Sequence, residues 1–257
     1  MTENRFLHHQ FQPHPTATHT MVFLHGLFGD MNNLGVIARA FSSHYAILKV
    51  DLRNHGNSFH SDVMDYALMA ADVKALLEQL HIEKAIVIGH SMGGKTAMKL
   101  AHIAPDLVEK VVVIDIAPVA YPPHRHDNTF AALFAVNAAR PESRQQAKAE
   151  MAKFIRDEGV QQFMLKSFDP TRPDCFKFNL TALKQNYLHI MDWQRVNVAQ
   201  PTLFIKGELS DYIQEKDRQM VLSQFPNANL FVISNTDHWV HAEKPETVIR
   251  AIERFIG

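Results

Sequence analysis

The chain has 257 residues, 46% of them hydrophobic, which is enough for a continuous core and excludes disorder as its main state. Lys plus Arg total 26 against 27 Asp plus Glu, a net charge of −1, so charge gives no reason to expect nucleic acid or an anionic membrane as partner. The single cysteine, Cys175, excludes an internal disulfide or a multi-cysteine zinc site, whereas 16 histidines raise the question of a metal.

Residues 1–20 contain no long apolar run behind a basic stretch. Apolar runs elsewhere are too short to span a bilayer. The expectation is a soluble cytoplasmic protein without a membrane partner, monomeric or homodimeric.

Short continuous apolar runs predict strands buried on both faces at Met21–Leu24, Ala46–Val50, Ala85–Ile88 and Val111–Ile114. Two more follow at Thr202–Ile205 and Leu230–Ile233. Between them, Tyr66–Leu80 carries Ala67, Ala70, Ala71, Val73, Leu76, Leu77 and Leu80 at helical spacing. Gly94–Ala104 reads as a helix ending at Pro105, and Val248–Ile256 as a last helix that Pro245 introduces. Such alternation predicts an α/β fold, a mostly parallel twisted sheet with helices on both faces. It stops after Ile116. From Ala117 to Gln200 only helical stretches appear, at Asn128–Ala139, Glu142–Asp157, Val160–Ser167 and Leu180–Met191, with a proline-bearing turn at Asp169–Asp174. The expected organisation is a core of residues 1–116 and 201–257 with an inserted helical lid, 117–200. Arg144, Lys148, Lys153 and Arg156 read as a solvated face of that lid.

Gly89-His90-Ser91-Met92-Gly93 matches G-x-S-x-G between a strand and a helix, the context in which a serine is raised on a sharp turn as a nucleophile. His25-Gly26-Leu27-Phe28-Gly29 follows the first strand, and the backbone N–H of Leu27 there can join that of Met92 as an oxyanion hole. His238 lies just beyond the last strand, late in the chain, where a general base is expected. His238 and His241 are three apart, and His124, His126 and Asp127 have metal-compatible spacing, but neither group has a matching partner segment, so no metal and no cofactor is expected.

These motifs, with Asp51–Ser58, Val113–Pro118 and His238–Pro245, resemble the α/β-hydrolase family of serine-esterase type, and within it the bacterial YbfF-type esterases. The resemblance covers nearly the whole chain. It implies an eight-stranded type of core lacking one strand at its start, and hydrolysis of short acyl esters and acyl-CoA thioesters. The acid that completes the triad usually follows the strand after the insertion. Here the counted position in Gly207–Ile213 is Ser210, and Asp211 is one residue out of register. Some members, the YbfF type included, place the acid at the end of the strand beside the nucleophile strand, where this chain has Asp115. The expected triad is therefore Ser91, His238 and Asp115, with Ser210 as an auxiliary beside the histidine and Asp211 as the alternative acid.

His25, Phe28, His90, Arg125 and Trp239 are candidate pocket residues, although Arg125 reads more simply as a solvated lid arginine. Phe130, Phe134, Phe163, Met164 and Phe168 suit either an acyl pocket or the packing of lid helices. Asp51–Ser58 reads as a structural turn beside the site. Serine at the elbow argues against haloalkane dehalogenase and epoxide hydrolase chemistry. A carbon–carbon bond hydrolase and a slowly hydrolysing small-molecule receptor remain open as alternatives to the esterase.

Overall fold

The computed structural model describes residues 6–257, so residues 1–5 of the leader and domain expectations lie outside the described residues. In chain order the elements are β1 (His9–Gln12), β2 (Thr20–Leu24), α1 (Gly35–Phe41), β3 (Ala46–Val50), α2 (Tyr66–Gln79), β4 (Ala85–His90), α3 (Met92–Ile103) and β5 (Val108–Ile114). Then come α4 (Asp127–Ala139), α5 (Arg144–Met151), α6 (Glu158–Lys166), α7 (Leu180–Gln185) and α8 (Tyr187–Met191). The chain closes with β6 (Thr202–Gly207), α9 (Arg218–Gln224), β7 (Ala228–Ile233), α10 (Val240–Glu243) and α11 (Pro245–Ile256). No helix of the described residues is long and apolar enough to cross a membrane.

The strands form a 7-stranded sheet in the order β1-β3-β2-β4-β5-β6-β7, parallel except for β1 against β3. From β2 the chain runs outward to β3 and then returns to the other side as β4. Ligands of open α/β sheets bind beyond the carboxyl ends of the strands at such a reversal. The continuous apolar runs of the inner strands have their physical reason in two cores. Val87 of β4 and Val111 and Val113 of β5 face one, with α2, α3 and the helices after β5. Ile88 of β4 and Val112 and Ile114 of β5 face the other, with α1 and α11.

The edges depart from the pattern. β1 is polar, antiparallel and alternately half-buried, so no apolar run announces it. β7 has Leu230 57% and Val232 46% exposed, so it is not buried on both faces as its composition suggests. The Glu142–Asp157 stretch shortens to α5, capped by the Ser143 side chain on Gln146 N–H. Leu180–Met191 is two helices, broken at Asn186. That side chain accepts from Met64 N–H at 3.0 Å and donates to the Asp62 carbonyl at 2.8 Å, fastening the segment after β5 to the loop before α2. Flanking the Asp169–Asp174 turn, Phe168 and Phe176 form an isolated antiparallel bridge.

Candidate active site

Ser91 sits between β4 and α3 at φ 52° and ψ −119°, a left-handed backbone that a side chain adopts only under strain. The flanking glycines make that turn possible. A Cβ on Gly89 would lie 2.1 Å from the Gly93 carbonyl oxygen, and one on Gly93 would lie 2.2 Å from that of Leu24. Ser91 Oγ consequently projects from the carboxyl end of the central strand into a cavity of about 330 Å³.

His238, in the loop between β7 and α10, places Nε2 3.1 Å from Ser91 Oγ. Its Nδ1 lies 2.8 Å from Asp115 Oδ2. Asp115 directly follows β5, is fully buried, and has φ 53°. Its Oδ1 accepts from Gly207 N–H at 2.9 Å, and its Oδ2 also accepts from Ser210 Oγ. Ser91, His238, Asp115 and Ser210 thus form one hydrogen-bonded chain. Asp211 does not join it. Its exposed carboxylate pairs with Arg125, whose Nη1 donates at 3.2 Å.

Burial pushes the Asp115 carboxyl up to about 6, against the Ser210 and Gly207 hydrogen bonds that favour its charged form. Burial, with the Arg125 cation nearby, holds His238 below the ordinary imidazole range, so the ring is neutral near pH 7. A neutral ring donating Nδ1–H to Asp115 leaves the Nε2 lone pair facing the serine hydroxyl.

The loop after β2 lies opposite. Leu27, Phe28 and Met92 line the cavity. Phe28 has φ 66°, and its N–H donates to His55 Nε2 at 3.2 Å. Burial keeps His55 down at about 3, so its Nε2 is an acceptor, while Nδ1 donates to the Arg53 carbonyl. Asp51–Ser58 is therefore a support for this loop as well as a turn. His25 stands behind the same loop with Nε2 accepting from Leu52 N–H at 3.0 Å. His90 lines the cavity and is held by the His238 carbonyl at 2.9 Å. His241 is buried 4.2 Å from the His90 ring.

Arg125 is half-buried rather than a freely solvated lid residue. Its guanidinium lies 3.8 Å from the centroid of Tyr212, and the opposite partner of that ring is the His238 imidazole, stacked at 3.9 Å. His124 pairs with Asp127 on the surface, as a surface cluster should, whereas His126 is half-buried, its Nδ1 2.6 Å from the Tyr187 hydroxyl. Among the described residues no group of three or more His, Cys, Asp or Glu is placed to hold a metal. The apolar candidates divide. Trp239, Phe163 and Met164 line the cavity. Phe130 packs on Phe28, Phe168 on Phe176, and Phe134 is exposed. Cys175 is buried beside Arg172 and Phe176, outside the cavity lining. Sequence reasoning missed Tyr66, Lys95, Tyr121 and Tyr212, which also line the cavity. Only Lys95, four residues after Ser91 on α3, had a local signal.

Comparison with known proteins matches residues 19–245 to a family described as alpha/beta hydrolase fold. A Haemophilus influenzae protein with an esterase/lipase name is 59% identical, covering 93% of this chain and 84% of its own. Esterase YbfF of Escherichia coli is 46% identical over 92% of each chain. A solved structure titled as a marine microorganism esterase superposes with a TM-score of 0.91 at 32% identity, covering 98% of this chain and 99% of its own.

Proposed function

The chain belongs to the α/β-hydrolase family and is an esterase close to the YbfF type, and from that premise we propose that it is a serine carboxylesterase working through an acyl-enzyme. Its substrates are short-chain acyl esters and, by the same chemistry, acyl-CoA thioesters. The observation that carries this reading is the Ser91–His238–Asp115 chain, at 3.1 Å and 2.8 Å, opening on one cavity.

Ser91 Oγ attacks the acyl carbonyl carbon while His238 Nε2 takes its proton. Asp115 fixes the imidazole tautomer and stabilises the imidazolium that forms. The N–H groups of Leu27 and Met92 receive the charge on the tetrahedral oxygen. Collapse expels the alcohol or thiol, which leaves with the proton from His238. Water, deprotonated by the same nitrogen, then attacks the acyl-serine, and Ser91 departs reprotonated with release of the acid. Residues 117–200 act as the lid that roofs the cavity and sets acyl length.

The test is turnover across acyl chains as p-nitrophenyl esters and CoA thioesters, with Ser91→Ala as control. Sustained turnover that falls at least roughly a thousandfold in Ser91→Ala is expected. A stoichiometric burst followed by a stall would favour a receptor. Turnover unchanged in Ser91→Ala would overturn the serine mechanism.

A further inference from the structure

Lys95 lies one helical turn beyond Ser91 on α3, a rise of about 6 Å, and lines the same cavity. It is only 1% exposed. A lysine this buried ordinarily has a carboxylate or a full set of acceptors around it. Among the described residues its ammonium has one hydrogen bond, to the Asp192 carbonyl oxygen at 3.2 Å. Three aromatic faces complete its surroundings, with centroids at 4.8 Å for Tyr121, 5.3 Å for Tyr66 and 5.5 Å for Trp193. Ring faces attract a cation but accept no full hydrogen bond, so donors of the ammonium remain unspent. Neither neighbouring hydroxyl accepts from the ammonium: Tyr66 donates to the Ile190 carbonyl, and Tyr121 donates to that of Tyr212 while accepting from Ala117 N–H.

The other cavity-lining cation, Arg125, is neutralised by Asp211. Among the described residues Lys95 has no such carboxylate partner. Burial consequently holds its ammonium down to about 7, opposed only by the field of Asp192. A buried amine poised between its two protonation states, with no ion pair among the described residues and lining the cavity that holds the serine, is held in its charged form by a ligand that brings the negative charge.

We propose that Lys95 is the specificity-determining residue for an anionic group on the substrate, a carboxylate carried on a short arm from the scissile ester. The inference rests on Ser91 being the nucleophile of this cavity. The carboxylate displaces no protein carboxylate when it binds, and the bond to the Asp192 carbonyl leaves donors of the ammonium for it. Its arm runs past Met92 toward Tyr66 and Tyr121, and the aromatic rings shield the ion pair from water.

The test compares kcat/KM, by pH-stat, for ethyl hemi-esters of glutaric and adipic acid with the matching neutral carboxamide esters. A second arm, acetoxyacetate against acetoxyacetamide, places the charge on the alcohol side. Wild type is expected to favour the carboxylate at least tenfold on one arm, and Lys95→Met to lower that ratio at least tenfold. Wild type preferring the carboxamide on both arms would overturn the proposal, and this holds even if Lys95→Met fails to fold. An unchanged ratio in a folded Lys95→Met protein would overturn it too. Ser91→Ala separates the two readings. If it abolishes turnover of every ester while the Lys95→Met ratio stays at the wild-type value, only the Lys95 inference falls. If Ser91→Ala still turns over, the underlying reading falls.

Discussion

The phenol ring of Tyr212 lies flat on the imidazole of His238, 3.9 Å between centroids and 18° between planes, with Arg125 on its other face. The imidazole is thus positioned by a face contact as well as by its two edge contacts. Removing the ring frees the imidazole to tilt, and a misplacement of about 1 Å costs on the order of a hundredfold. Tyr212→Ala is expected to lower kcat about ten- to a hundredfold, and Tyr212→Phe less than about threefold, in steady-state ester hydrolysis. Equal losses in both would assign the effect to the hydroxyl.

Asp115 and Asp211 compete for the role of acid, and their surroundings separate them. Asp115 bonds His238, while Asp211 is engaged with Arg125 on the surface. Asp115→Asn is expected to lower kcat roughly a thousandfold to ten-thousandfold through the wrong tautomer, and Asp211→Asn less than about tenfold. The reverse ranking would move the acid to the later strand.

The acid limb of the pH profile should report Asp115, whose carboxyl burial pushes up to about 6. Activity requires the carboxylate, so kcat/KM holds above that pH and falls below it. Ser210 donates to the carboxylate and favours the charged form. Ser210→Ala should therefore move the limb to higher pH. A limb that stays in place or moves down would remove the hydroxyl from the hydrogen-bonded chain.

His55 accepts the Phe28 N–H behind the Leu27 loop. In His55→Leu that donor is left buried and unpaired, at a cost of about 1–3 kcal/mol. The melting temperature should fall and kcat with it, by about tenfold, if the loop supplies an oxyanion donor. Glutamine at the same place can accept the bond, so His55→Gln should recover much of both. Loss of stability with kcat intact would confine His55 to a scaffold role.

What the sequence makes legible follows from where the information is local. The inner strands announce themselves as apolar runs because both of their faces are covered. β1 and β7 do not follow that rule, being edges with water on one side. Ser91 is visible in five consecutive residues, and the register of Gly207–Ile213 separates Ser210 from Asp211 by counting alone. Tyr66, Tyr121 and Tyr212 come from α2, from the segment after β5 and from the loop after β6, and no spacing along the chain relates them. Arg125 looks solvated in sequence for the same reason, since Tyr212 and Asp211 are more than eighty residues away.

Phe28, Ser91 and Asp115 all hold positive φ without being glycine, at 66°, 52° and 53°. Such residues cost about 1–3 kcal/mol each, against the 5–15 kcal/mol by which domains are usually stable. The simplest relief, glycine, would strip a side chain from the cavity wall at Phe28 or Ser91, or from the hydrogen-bonded chain at Asp115. At Phe28 the lost burial, about 3–5 kcal/mol, outweighs that relief, whereas at Ser91 little packing is lost and endurance against heat stands opposed to the nucleophile. Screens that select for thermal resistance alone will therefore tolerate replacement of Ser91 before that of Phe28.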